Sequence, residues 1–356
     1  MSSLESEALD ELFIDVVTHA GISSESDAIV VEDLSKVYPN GTEAVRGISF
    51  RLGRGEVYGI LGPNGAGKST TIGMLGTLVK STGGRALVSG IDVAQDPRSV
   101  HGQIGFAMQE VGVDDLATGR EFLVLQGRLN GLAAAEAERR AELLLRLVDL
   151  EDAADKRMGG YSGGMKRRAD LASALIHMPP ILFLDEPTEG LDPRGRVAIW
   201  DALHRLKREL SITVVLTTHY MDEADRLCDR IGIIDRGQIV AEGTPEQLKS
   251  SVSSQALILN YGPQASPDSL SATAAVLSGL DDINDVVAAD GHFSVYVDDA
   301  ARLAPELLRI LEGERLTPLA LAIKQPTLED VYLRYTGKSF EASEDVTDVQ
   351  EGSDRT

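Results

Sequence analysis

Gly62-Pro63-Asn64-Gly65-Ala66-Gly67-Lys68-Ser69-Thr70 is the stretch whose reading decides the fold. An apolar run, Val57 to Leu61, leads into it, and a helix start follows. A Cβ at the glycines would hold the backbone away from an anionic ligand and would oppose positive φ. The loop therefore offers successive backbone N–H groups, a helix N-terminus, one lysine and one hydroxyl. That set matches the phosphates of a nucleoside triphosphate and its Mg²⁺. Kinases, GTPases, helicases and transporters share such a loop, so the rest of the chain has to separate them.

The chain has 356 residues, enough for one large domain and a smaller one. Its 43% apolar content supports a full core. The longest apolar runs are strand-length, far short of the roughly 18 residues that span a bilayer. No basic segment with an apolar core opens the sequence, so no signal peptide is expected. The one cysteine, Cys228, has no internal disulfide partner, which fits a reducing compartment. A formal charge of −22 argues against direct binding of nucleic acid or anionic lipid. Acid is concentrated at the ends: residues 1–33 hold nine Asp or Glu and no Lys or Arg. A GC-rich genome or adaptation to high salt would each account for the acidity and for the excess of Arg over Lys.

Four regions follow from the patterning: an acidic N-terminal extension (1–27), an α/β domain (28–250), a second unit (254–337) and an acidic tail (338–356). In the extension, Leu9, Leu12, Phe13, Val16 and Val17 recur at helical spacing. Strands and helices alternate through the α/β domain. In the second unit the order β-α-β-β-α-β is ferredoxin-like, with a turn at Asp290-Gly291. The tail is rich in Gly, Ser and acids and is expected to be disordered.

The chemistry rests on two further motifs. Ile181-Leu182-Phe183-Leu184-Asp185-Glu186 reads as a central strand beside the loop strand, with Asp185 at its C-terminal end to hold Mg²⁺. Glu186 is then placed to activate a water for in-line attack. Tyr161-Ser162-Gly163-Gly164-Met165-Lys166-Arg167 puts a Ser-Gly-Gly at a helix N-terminus, a second anion site without a lysine-bearing pocket. A head-to-tail homodimer, in which each such site closes over the partner's nucleotide, resolves that surplus. Ser162-Gly163-Gly164 alone would be an ordinary helix cap; its position upstream of Asp185 gives it the larger meaning.

From Ala28 to Gly243 the ordered set resembles the nucleotide-binding subunit of an ABC transporter. The resemblance implies an α/β, P-loop ABC-type ATPase domain with a RecA-like core, an antiparallel β subdomain and a helical subdomain. It implies ATP and Mg²⁺ as ligands. By resemblance, Tyr38 stacks on adenine, while Gly62 to Thr70 hold the phosphates. Lys68 meets the β- and γ-phosphates, and the Ser69 hydroxyl reaches Mg²⁺. Gln109, at the end of a strand from Ile104, senses Mg²⁺ and couples to a permease. Asp192 crosses the dimer interface, and His219 contacts the γ-phosphate. Two departures stand out. Tyr161 replaces the family's usual leucine, and Gly190 precedes Leu191 where alanine is common. Both resemble the daunorubicin-resistance subgroup, as do Glu-Pro-Thr-Glu-Gly-Leu-Asp-Pro and the run Gln325-Pro326-Thr327-Leu328-Glu329-Asp330-Val331-Tyr332-Leu333-Arg334-Tyr335-Thr336-Gly337. The small C-terminal unit resembles that subgroup's accessory domain.

The leading reading is the ATPase of an ABC-2-type exporter, acting on a separate permease at the cytoplasmic face of the membrane. Drug, lipid, glycan and ion export all fit. The alternative is a soluble ABC-type ATPase on ribosomes or DNA. Ribosome-associated members usually pair two ATPase units in one chain, and DNA-linked ones split the unit around a coiled coil; neither feature is seen here. A small-molecule kinase would not need Ser162 to Gly164 or His219. A regulatory module without turnover would not need Glu186.

Overall fold

The computed structural model describes residues 27–252, 255–262, 266–289 and 292–336. Most of the N-terminal extension, the acidic tail and the Asp290-Gly291 turn lie outside them. The chain divides between Pro245 and Glu246 into two units.

The first unit opens with β1 (Ile29–Val37), β2 (Glu43–Leu52) and β3 (Val57–Leu61), then α1 (Lys68–Leu75). Next come β4 (Gly83–Val88), β5 (Ile91–Asp92), α2 (Pro97–His101) and β6 (Ile104–Ala107). The helical part is α3 (Gly119–Leu129), α4 (Ala134–Leu147) and α5 (Gly163–Ala174). Then β7 (Ile181–Asp185), α6 (Pro193–Leu210), β8 (Thr213–Thr218), α7 (Met221–Leu227), β9 (Arg230–Asp235) and β10 (Gln238–Gly243) complete it.

An antiparallel sheet runs β2-β1-β4-β5, and a larger sheet runs β10-β9-β3-β8-β7-β6. In the larger sheet, β3 pairs in parallel with β8 and β9, and β7 with β8 and β6. The expectation that Ile181–Asp185 lies beside the loop strand is therefore corrected: β8 stands between them. Every residue of β8 is buried, so it takes the central position that an apolar run buried on both faces demands. The second correction concerns Gln109. Strand β6 ends at Ala107, which leaves Gln109 two residues into an exposed loop.

Local signals account for the helices that carry the site. Asp192 caps α6 by accepting from the Gly195 N–H at 2.9 Å, and Pro193 occupies the first helical position. Thr118 and Glu121 form a reciprocal capping box on α3. The core joins the two sheets through Ile29, Leu34, Phe50, Tyr58, Ile72, Phe183 and Val215, with Phe50 stacked on Tyr58 at 4.9 Å.

The second unit opens within α8 (Pro245–Ser251). It comprises β11 (Gln255–Asn260), α9 (Pro267–Ser278), β12 (Asp285–Ala289), β13 (His292–Val297), α10 (Ala300–Gly313), β14 (Ala320–Lys324) and α11 (Leu328–Thr336). Its sheet runs β12-β13-β11-β14, all antiparallel. Leu257, Leu259, Phe293, Val295, Leu303 and Leu307 form its own core. Among the described residues no helix is long and apolar enough to cross a membrane.

Candidate active site

The parallel strands of the larger sheet deliver the loop after β3, Asp185-Glu186 after β7 and Thr218-His219 after β8 to one edge. Gly67 turns the loop into α1 at φ 107°, and a Cβ there would lie 2.4 Å from the Ala44 carbonyl. Only glycine makes that turn without displacing backbone. Lys68, 4% exposed, folds back and donates to the carbonyls of Gly62 and Pro63 at 2.9 and 3.1 Å. The same ammonium pairs with Glu186 Oε1 at 3.0 Å.

Ser69 Oγ donates to Asp185 Oδ1 at 3.0 Å, so α1 and β7 bring a hydroxyl and a carboxylate together. Thr217 Oγ1 also donates to Asp185 Oδ1, at 2.5 Å, and accepts from the Glu186 N–H at 3.0 Å. Glu186 sits at φ 46°, a left-handed conformation that is costly for a residue with a side chain. Its Oε2 lies 3.3 Å from His219 Nδ1. Burial alone would raise the Glu186 carboxyl; the His219 ring and the Lys68 ammonium instead hold it well below the usual carboxylate range. Burial and the adjacent Glu186 push Glu189 upward. Gln109 Nε2 donates to Glu189 Oε2.

Tyr38 lies just past β1, its hydroxyl 3.3 Å from Thr70 Oγ1 and its ring 5.0 Å from the Lys36 ammonium. Asn64 and Gly65 are exposed at the loop tip, Ala66 is buried beneath it, and Pro63 is buried at its entry. Ser162 caps α5 by accepting from the Met165 N–H at 3.3 Å. Ser162, Gly163 and Gly164 share a second, open pocket with Leu191, Asp192 and Gly195. Tyr161 turns inward and donates to the Ala153 carbonyl at 2.7 Å, which gives the departure from leucine a packing role.

Sequence reasoning missed three contributors. Thr217 orients Asp185 and Glu186, and its only sequence signal is its place at the end of an apolar strand. Glu189 follows Glu186 by three residues, a spacing that puts both acids on one turn. Arg167, 3% exposed, donates to the carbonyls of Met108, Asp185 and Pro187 and pairs with Asp170 at 3.2 Å. It thereby joins α5, the Gln109 loop and the end of β7. Its signal, a basic residue on the buried side of a helix, is weak because Lys166 and Arg168 flank it.

The fold and this edge define a phosphate-loop nucleoside triphosphatase of the ATP-binding cassette class. The ABC transporter family matches residues 45–189. A daunorubicin resistance ATP-binding protein, DrrA2 of Streptomyces coeruleorubidus, is 40% identical over 89% of this chain and 97% of its own length. The daunorubicin/doxorubicin resistance ATP-binding protein DrrA of Streptomyces peucetius is 44% identical, covering 87% of this chain and 92% of its own. A solved dimeric cassette, MJ0796 in a post-hydrolysis state with ADP and Pi, superposes with a TM-score of 0.55 at 28% identity, over 61% of this chain and 98% of that one. The chain belongs to the daunorubicin-resistance family of ABC transporter ATP-binding proteins, and it is an ATPase.

Proposed function

We propose that this chain powers a membrane exporter of drugs or other lipophilic compounds. Residues 28–250 hydrolyse ATP, and 254–337 form an accessory domain. Two copies close head to tail over two nucleotides and act on a separate ABC-2-type permease at the cytoplasmic face of the membrane. The family supports transport coupling: DrrA2 and DrrA carry resistance to daunorubicin or doxorubicin in their names. The observation that carries the reading is the Lys68–Glu186–His219 cluster, set against a second, open pocket at Ser162 to Gly164 that has no loop lysine of its own.

In this reading Tyr38 packs on adenine, and the N–H groups from Gly62 to Thr70 with Lys68 bind the phosphates. The Ser69 hydroxyl and Asp185 carboxylate are hard oxygen donors held together, a fit for Mg²⁺ with Gln109 as a further oxygen ligand. Mg²⁺, when bound, would neutralise charge on the transferred phosphoryl group. Glu186, kept ionised by its neighbours, accepts a proton from the attacking water as that oxygen bonds to the γ-phosphorus. The bond between the γ-phosphorus and the bridging oxygen breaks, and ADP leaves with the electron pair. His219 contacts the γ-phosphate and fixes the Glu186 carboxylate. Asp192 and Ser162 to Gly164 meet the partner's nucleotide, so closure depends on ATP and hydrolysis releases it.

Replacing Glu186 with Gln in the full chain tests the assignment. Turnover is expected to fall about 10²- to 10⁴-fold, with an ATP-bound dimer accumulating in size-exclusion chromatography. Unchanged steady-state hydrolysis would remove Glu186 from the base role.

A further inference from the structure

Two side chains outside the assigned site, one aromatic and one cationic, connect its switch histidine to the helix that follows Asp192. The Tyr220 ring lies 4.0 Å from the His219 ring, tilted by 46°. The guanidinium of Arg196 sits 4.3 Å from the centre of the same Tyr220 ring. Both side chains are half-buried. Among the described residues the Arg196 side chain makes no hydrogen bond or ion pair, and its Nε is buried without a hydrogen-bond partner. A cation held in that way owes its position to the ring it covers. Backbone geometry ties the two ends of the stack to functional segments. The Arg196 N–H donates to the Asp192 carbonyl at 3.0 Å, closing the first turn of α6. The Tyr220 N–H donates to Thr218 Oγ1 at 2.9 Å, which pins it to the end of β8. At the far end His219 Nδ1 stands 3.3 Å from Glu186 Oε2.

We propose that Arg196 and Tyr220 are positioning residues for hydrolysis: the stack Arg196–Tyr220–His219 sets the imidazole against Glu186 according to where the first turn of α6 lies. A shift of Asp192 moves Arg196 with it, because one hydrogen-bonded turn joins them. Tyr220 converts that shift into a change in ring contact at His219. Neither residue belongs to the phosphate loop or to the groups read as Mg²⁺ donors, so the stack acts on turnover and not on nucleotide affinity. The proposal rests on the reading of Glu186 and His219 as hydrolytic residues.

The test is steady-state ATPase kinetics on the full chain for Arg196→Ala, Tyr220→Ala, the double variant, and the conservative Arg196→Lys and Tyr220→Phe. Each alanine variant is expected to lower kcat about 5- to 20-fold with KM for ATP changed less than about twofold. The double variant should lose no more than the worse single one, because the residues act through one stack. Tyr220→Phe keeps the ring and should keep most of the activity, and Arg196→Lys should recover part of it. Tyr220→Leu replaces Tyr220→Ala if the latter fails to fold, as judged by its melting curve. Unchanged kcat in the single variants, losses that multiply in the double variant, or a change confined to KM would each overturn the proposal. Glu186→Gln and His219→Ala run in the same series. If these two retain full turnover, the hydrolytic reading itself falls. If they abolish turnover while Arg196→Ala and Tyr220→Ala do not, only the stack falls.

Discussion

Arg167 and Asp170 form a buried pair whose members differ in how well they are served. The guanidinium donates to three backbone carbonyls as well as to the carboxylate. Asp170 has the guanidinium and little else, and burial raises its carboxyl from 3.8 to about 6. A folded-state value above the unfolded one means that the folded chain binds more protons between the two. The stability from protonated Asp170 is fully present below pH 3.8 and is lost as pH rises through about 6. The size is roughly 3 kcal/mol for a shift of about two units. Asp170→Asn is expected to flatten the stability–pH curve across that window, as measured by urea denaturation at several pH values. A slope equal to that of the unmodified chain would show that Asp170 titrates normally.

At the scale of elements, the junction between β3 and α1 carries the strictest geometry. Gly67→Ala would place a methyl group 2.4 Å from the Ala44 carbonyl in a backbone of φ 107°. The loop has to distort, at a cost of about 1–3 kcal/mol. ATP affinity measured by titration calorimetry is expected to drop sharply in this variant, whereas a normal affinity would mean the loop tolerates a side chain there. Most elements were legible because each apolar run is bounded by punctuation. Pro193 after Asp192 marks the start of α6, and Asp235-Arg236-Gly237 marks the hairpin between β9 and β10. The neighbours of β7 were not legible, because strand order depends on which run is buried on both faces, and three runs compete. Strands β4 and β5 carry little sequence signal, because β4 opens on Gly83-Gly84, residues that weaken a strand; Gly84 crosses close over the Asp33 carbonyl. Helix α11 was read only as a motif, although its Leu328, Val331 and Tyr332 are buried at helical spacing. The sequence pattern groups the loop, Asp185, Glu186 and His219 through the order and spacing of their motifs, and the structure brings them together. Thr217 and Glu189 were not legible, because a threonine at a strand end and an acid in a loop are common.

The whole molecule carries a formal charge of −22, yet it binds a polyanion. Each unit has its own core, and the loop sits in the first. The loop lysine already has a carboxylate, Glu186, at 3.0 Å. In the proposed reading, nucleotide binding is an exchange at Lys68, one counter-anion for another. The buried Lys68–Glu186 pair is screened little by dissolved salt, which acts mainly on the repulsion between nucleotide and acidic surface. ATP affinity is thus expected to hold or rise between about 0.1 and 1 M KCl, a span in which the Debye length shrinks from about 10 to 3 Å. A steep loss of affinity in a fluorescence titration over that range would show that exposed cations dominate the site. In the terms of solution chemistry, the phosphate loop in this proposed reading is a preloaded ion exchanger, its lysine already carrying a counter-anion.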